Sequence, residues 1–561
     1  MSLFTEVVAK VPKRNAFNLS FESLLTAEFG QLIPVSCKEI LPHDSIRQST
    51  EVVVKTAPML APIFSRIDLY LHYFFVPCRL LQSDWEDFIT TGVDGLSDNM
   101  NPPYLDLDDA ILYSDGQGSA TAIVDGSLAD YLNLPKVSAA EITAAGIGNL
   151  PINMLPFLCY QKIYSDWFKD ELLDQFEFEP IQGGNMSASD GEMAMTMRYR
   201  SWKKDYFTSA RPNTQLGAAI PIPISGSLAS DGPLRLGSDN TQRVTGYIPK
   251  FATSTSREDM GQGVTPRYIN VMGSVPTSNL DDGLGSQYLY YGDGISLDSA
   301  GIDVNDLRRA LRLAQWQERN MRGGNRYIEN IYHHFGVKSS DARLQRSELL
   351  GGRKIPIVIS EVTQQSNTTA YEDTSGEVVN STPLGQLAGK AGSVGNSGRI
   401  KWHAEEHGFI MCLASIMPKA GYMQGLPRMY WRQSYLDYAW PLFGNLGEQE
   451  VYNGEIYLPQ AKAADAFGYQ SRYAEYKFSP NEVHGAFRSS MAYWHNARIF
   501  DSAPNLNNDF VQLNGGQDDS TNQGQNRIFP TLPDGYGHFY LHMFHDIRVV
   551  RALPKYGIPS I

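Results

Sequence analysis

Cysteine is scarce in this chain. Its 561 residues include four, Cys37, Cys78, Cys159 and Cys412, far apart and without a CxxC pair. A zinc ribbon needs thiolates at short spacing and a disulfide framework needs many of them, so neither is supported and a reducing compartment fits. Long apolar runs are missing as well. No stretch approaches the roughly 20 residues of a membrane span, and the start, MSLFTEVVAKVPKRN, lacks the apolar core of a secretion signal. The expectation is a soluble protein made in a cytoplasm, with no membrane insertion. Positive charge is in deficit: 47 Lys and Arg against 61 Asp and Glu give a formal charge of −14. Nucleic-acid contact must then be confined to patches. What the chain does have is apolar and aromatic material, 42% and 11% of residues, enough for a large buried core.

Catalytic signatures fail one by one. His403-Ala404-Glu405-Glu406-His407 has the H-x-x-E-H order of an inverted zincin, in which both histidines share a helix face and hold zinc while the glutamate activates its water. Here the segment runs straight into Gly408 and the strand-like FIMCLASIMP, and on a strand the histidines do not converge. His538, His542 and His545 fall in an alternating pattern that puts the first two on one face and the third on the other. GQLAGKA, Gly385 to Ala391, is one residue short of a phosphate loop and has Ala391 where Ser or Thr reaches magnesium. A calcium loop around Asp106, Asp108 and Asp109 lacks its glycine and terminal glutamate. No G-x-S-x-G elbow is present. The expectation is no catalytic residue, no cofactor and no metal; a zinc hydrolase built on residues 403–407 is the alternative from another class.

The most organised stretch runs from Asp303 to Gly352. Leu307, Leu311, Ala314 and Met321 fall at helical spacing, and Arg308, Arg312, Gln315, Arg319 and Arg322 run beside them at the same spacing. Asp303 is the expected N-cap and Gly323-Gly324 the stop. A second helix follows with Ile328, Ile331 and Phe335 on one face, ended by Gly336. Between Gly301 and Lys354 there are eleven Lys or Arg against six Asp or Glu. Two readings stay open: solvated arginines on an amphipathic helix pair, or a contact surface for something anionic or for neighbouring copies of the chain.

Elsewhere, residues 1–16 with Lys10, Lys13 and Arg14 read as a basic N-terminal arm, able to touch phosphate or simply frayed. Strands are expected at Gln31 to Leu41, Glu51 to Lys55, Asp68 to Val76, Ile355 to Thr363, Arg399 to Met417 and His538 to Leu553, with another in TMRYRSWKKDYFTS. A capping box opens a short helix at SDWEDFI, and Leu155 to Leu173 forms an amphipathic helix with Leu158, Ile163 and Trp167 inward. Gly92 to Asp130, with eight aspartates and no Lys or Arg, reads as a solvated acidic loop, and Asn213 to Ala300 as a displayed excursion. Residues 364–398 and 501–537 read as loops, with an aromatic region at Tyr430, Trp431, Tyr435, Tyr438 and Trp440 between them. Strands near both ends with long connections point to an antiparallel β-core with insertions rather than βαβ units.

Seven segments, in order, carry a resemblance: FFVPCRLLQSDWEDF, LPFLCYQKIYSDWFKDELL, KKDYFTSARP, RGGNRYIENIYHHFGVKSSDARLQRSELLGG, TPLGQLAGKAG, EEHGFIMCLASIMP and RALPKYGIPSI. The chain resembles the major capsid proteins of microviruses, closest to the gokushovirus-like branch of small tailless phages, from about Phe17 to Ile561. The excursion at 213–300 and the loop at 92–149 match poorly. The resemblance implies a mainly β fold, a single eight-stranded antiparallel viral jelly roll over 17–561 with loop and helical insertions at about 92–150, 213–300, 301–352, 364–398 and 501–537. It implies a shell of sixty copies with T=1 symmetry around circular single-stranded DNA, and a protrusion at the threefold axes formed by 213–300. The implied partners are other copies, packaged DNA, small basic DNA-binding and minor or pilot virion proteins, and a host cell-surface receptor; assembly takes place in the bacterial cytoplasm. In that setting the 301–352 hairpin reads as an insertion supporting subunit contacts. Lys10, Lys13, Arg14, Arg308, Arg312, Arg319 and Arg322 are the candidate DNA contacts, and a DNA-packaging protein is a further alternative.

Overall fold

A computed structural model describes residues 13–90, 101–217, 304–323, 326–363, 387–513, 524–530 and 537–556, together with three two-residue ladders elsewhere. Lys10, Asp303, Gly324 and most of the 213–300 and 364–386 segments lie outside them. The chain folds as two compact units, Met1–Leu216 with Glu318–Ile561, and Gly217–Gln317. The expected domain over 17–561 thus divides, close to the expected excursion. In the second unit the described parts are the ladders pairing 228–229 with 296–297 and 236–237 with 288–289, and the start of a helix that runs from Val304 to Gly323.

The first unit is built on two antiparallel sheets. Its strands are β1 (Asn15–Asn18), β2 (Phe21–Ala27), β3 (Ile33–Ile40), β4 (Ser45–Thr56), β5 (Ile67–Pro77), β6 (Glu348–Ile357), β7 (Ile359–Thr363), β8 (Leu387–Asn396), β9 (Ile400–His403), β10 (Gly408–Pro418) and β11 (Phe539–Arg551). One sheet has the order β1–β11–β4–β8–β7, with β2 also on β11 and β9 also on β4; the other has the order β6–β5–β10–β3. The pairing is nested: β2 pairs β11, β3 pairs β10, β4 pairs β8, and β5 pairs β6.

Alternation decides what these strands bury. Val52 and Val54 of β4 and Leu541 and Met543 of β11 face the other sheet, against Leu69, Leu71 and Tyr73 of β5 and Cys412 and Ala414 of β10, while Ile46 of β4 and Ile547 of β11 pack with Ile40 of β3, Phe75 of β5 and Ile410 of β10. Full burial of each such large apolar side chain stabilises by about 1.5–3 kcal/mol. The second sheet is covered on its other side too. Phe74, Val76, Met411 and Leu413 pack there against Leu155, Leu158, Cys159 and Ile163 of α1 (Leu155–Ile163). Hence every residue of β10 is buried, as a strand coated on both faces must be.

A polar group crosses the inter-sheet core. Tyr73 Oη lies 2.7 Å from Thr50 Oγ1 and 2.8 Å from Ser397 Oγ, and Thr50 Oγ1 lies 2.9 Å from Nδ1 of His545. His545 is fully buried, and its Nε2 is 3.3 Å from Ser23 Oγ. Burial pushes this imidazole down to about 4. The alternation read from the sequence holds here, with His545 inward and His542 on the opposite face.

Several expectations are corrected. The described part of the acidic segment is folded: Leu105, Leu107, Ala110, Ile111 and Leu128 are core residues. Its aspartates hold turns, Asp115 accepting from the amides of Gln117, Gly118 and Ser119, and Asp130 from Gly126. TMRYRSWKKDYFTS forms single bridges at Tyr199 and Ser201 and then a turn in which Asp205 Oδ1 accepts from the amides of Phe207 and Thr208. The helix from Leu155 stops early, with α1 passing into a wider turn over Tyr164–Phe168. At Trp85–Thr90 it is the Asp84 carbonyl that accepts from the Phe88 amide, so Asp84, not Ser83, starts the helix. Residues 387–396 are the strand β8 rather than loop, and the strand Asn15–Asn18 takes in the last two residues of the expected arm.

Candidate functional site

The helical hairpin follows its sequence closely. α2 (Val304–Gly323) and α3 (Tyr327–Phe335) form, and Gly336 ends α3 with φ +70°, a left-handed position that suits glycine. The apolar face is another matter. Met321 is buried, but Leu311 is exposed, and no residue of α3 is buried.

The arginines divide into two groups. Arg308 and Arg312 are exposed on α2, and Arg312 Nη1 donates to Gln315 on the same helix (2.9 Å). Arg319 is exposed as well. Arg322, by contrast, is held: its Nε is 3.1 Å from Glu448, its carbonyl accepts from Arg211 (2.8 Å), and Glu318 lies at 3.7 Å. Arg326 and Arg346, which were not singled out in the sequence, anchor the hairpin. Arg326 pairs with Glu171 at 2.5 Å and donates to the Lys169 carbonyl at 2.9 Å; Arg346 donates to the Asp166 carbonyl at 2.6 Å and sits over the Trp167 ring. The Asp166 carboxylate also accepts from the amide and hydroxyl of Ser347.

The N-terminal cations separate in the same way. Lys13 is exposed, while Arg14 Nη2 donates to Ser45 Oγ (2.7 Å) and to the Val550 carbonyl (3.1 Å). Lys10 is outside the described residues.

In the H-x-x-E-H segment each group has its own partner. His403 closes β9 with Nδ1 at 3.1 Å from Ser45 Oγ. Glu406 receives both Arg79 Nε (2.7 Å) and Nη2 (3.1 Å), and the His407 ring lies edge-on to Trp85. Glu406 is thus paired with Arg79 while the two histidines have separate partners, so the three groups do not converge as the zinc-hydrolase alternative requires. Among the described residues no cluster of three or more His, Cys, Asp and Glu is arranged to hold a metal. Burial pushes the Cys78 thiol up to about 12, and raises Cys159 and Cys412 as well, so these thiols are held as neutral packing groups. Among the described residues no helix is long and apolar enough to cross a membrane.

Among the described residues, a run of exposed apolar side chains lies in the aromatic region. Between Arg428 and Leu446 the backbone makes three 3-10 turns, and Tyr430, Tyr435, Tyr438, Trp440, Leu442 and Leu446 project outward, Leu442 at 84% exposure and Tyr435 at 72%. These turns are pinned from below. Arg428 pairs with the buried Glu455 at 2.9 Å, Arg432 pairs with Glu475 at 3.2 Å, and Trp431 Nε1 donates to the Leu426 carbonyl. Exposed apolar surface held in a fixed geometry is available for contact with another molecule.

Comparison with known proteins gives these surfaces a setting. The profile of a phage family described as capsid protein (F protein) matches residues 5–561. The chain is 32% identical to the capsid protein VP1 of Bdellovibrio phage phiMH2K, over 99% of this chain and 97% of the relative. It is 29% identical to the capsid protein VP1 of Chlamydia phage 1 over 100% and 97% of the two chains, and 28% identical to that of Spiroplasma virus 4 over 89% and 87%. With its whole length matched, the chain belongs to the capsid protein (F protein) family of phages, the structural components of the virion.

Proposed function

We propose that the two-sheet unit is an eight-stranded viral jelly roll and that sixty copies close into a T=1 shell around a circular single-stranded DNA genome. The observation that carries the reading is the nested pairing. Counting β2, β3, β4, β5, β6, β8, β10 and β11 as first to eighth, the pairs are first with eighth, second with seventh, third with sixth and fourth with fifth, split between two facing sheets. That is a rolled-up double strand, the arrangement of a jelly roll. The segments near 92–150, 213–300 and 501–537, the part of 301–352 before β6 and the part of 364–398 before β8 are then insertions between its strands, and residues 213–300 form the outward protrusion that meets the host receptor. Copies meet through pinned apolar surface such as Tyr435 and Leu442, since a closed shell needs large self-complementary contacts. Lys10, Lys13, Arg14 and the exposed Arg308, Arg312 and Arg319 contribute to holding DNA, with Arg322 chiefly structural, and small basic and minor virion proteins join inside.

Negative-stain microscopy of the expressed chain tests this. Uniform spherical particles are expected; a small monodisperse monomer under all assembly conditions overturns it.

A further inference from the structure

The seven-stranded sheet has an outer face that carries charged side chains. Its register sets Lys401 of β9 opposite Arg47 of β4, Arg47 opposite Arg548 of β11, and Arg548 opposite Asn18 of β1. Directly opposed residues of an antiparallel ladder project from the same face, so three cations stand in a row on three neighbouring strands, about 5 Å from strand to strand. All three are exposed. Arg548 has Asp546 at 3.4 Å; among the described residues no carboxylate lies within 4 Å of Arg47 or Lys401.

Like charges opposed on a ladder weaken it. The row therefore costs the subunit stability and is explained by something outside it. The rest of the face points to what that is. Lys55 and Lys390 also project from its strands, giving five strand cations against the three strand carboxylates Glu22, Glu51 and Asp546, with Asp125 and Asp130 beside Lys55 and Tyr540 at one end, in a chain whose formal charge is −14. Tyr540 and Phe544 of β11 project from the same face, each more than a third exposed. Cations beside open aromatic rings form a surface for single-stranded nucleic acid, the guanidinium forks taking phosphates and the rings taking bases. The competing occupant is an acidic segment of another copy. In the most acidic one, near 94–130, Asp115 and Asp130 hold turns and Asp125 pairs with Lys136.

We propose that Lys401, Arg47 and Arg548 form a docking track for the phosphodiester backbone of single-stranded DNA, with Phe544 and Tyr540 as stacking platforms. The setting rests on the shell reading above, but the track is a property of the subunit and is tested separately. The probe is a fluorescent oligothymidylate bound to the full-length chain over a salt series, comparing the parent with the triple variant Arg47→Gln, Lys401→Gln, Arg548→Gln and with the hairpin variant Arg308→Gln, Arg312→Gln. Loss of three phosphate contacts is expected to flatten the log Kd against log salt slope by about 2, while the triple variant melts no lower than the parent. The single variant Arg47→Gln is expected to flatten it by about 0.7, which keeps the test open if the triple variant folds poorly. An unchanged slope in the triple variant overturns the proposal. So does a variant that binds oligonucleotide like the parent yet no longer forms particles, because the row would then contact a neighbouring copy. If the parent forms no particles at all, the shell reading fails while the oligonucleotide slopes still decide the track.

Discussion

His545 is a histidine held neutral at the centre of a β-sandwich. Its folded value near 4 lies below the ordinary 6.5 because burial disfavours the charged ring. The unfolded chain therefore binds a proton that the folded chain refuses between these values. Stability from this group is complete above about pH 6.5, falls as pH drops toward 4, and is constant below that. Lowering the pH from 7 to 5 is expected to cost on the order of 2 kcal/mol through this residue. Urea midpoints of the parent and of His545→Asn at the two pH values check this, and an equal loss in both would remove His545 as the cause. The same group shows what single residues reveal in advance. Its inward side could be read from alternation, but its partners Thr50, Tyr73 and Ser397 could not, because they come from distant strands.

At the scale of elements, β8 was the strand least visible in sequence. Leu387–Asn396 contains Gly389, Gly392 and Gly395, and glycine reads as loop. The structure gives the reason for one of them. Gly389 exchanges backbone hydrogen bonds with Met59, and a Cβ there would lie 2.5 Å from the Ala61 carbonyl oxygen. Gly389→Ala is expected to lower stability by about 1–3 kcal/mol through overpacking against backbone. Gly392, whose Cβ would meet nothing closer than 3.9 Å, is the control, and Gly392→Ala is expected to be nearly neutral in thermal unfolding. Equal losses at both positions would contradict this account. β3, β5, β10 and β11 were legible because β-branched and aromatic residues fill them, and α2 and α3 because glycines bound them. Missed features such as the Arg326–Glu171 and Arg346–Asp166 anchors join segments more than 150 residues apart, and no local pattern reports that.

For the whole molecule, the shell reading proposed above separates the residues that carry stability from those that carry assembly. The patch formed by Tyr435, Leu442 and Leu446 is open, so it contributes little to the fold of one copy. The double variant Tyr435→Ala, Leu442→Asp is expected to keep the melting temperature of the subunit and to lose particle formation, read by sedimentation and microscopy. A variant that assembles normally would assign the patch to another partner. Arg47, Lys401 and Arg548 make the same point about legibility at this scale: they are far apart in the chain, and only the register of three strands brings them into line.

The nesting of the strands also sets an order of events during synthesis. The outermost pair joins residues 522 positions apart, Ser23 and His545, and β11 supplies the central neighbour of β4. A nascent chain can close β5 on β6 long before it can close β2 on β11, and contacts of such separation form late. Until residue 551 has left the ribosome, β4 keeps an open edge and the face bearing Arg47 is incomplete. A chain cut before β11 thus lacks the strand that joins β2 to β4 and leaves this sheet unfinished.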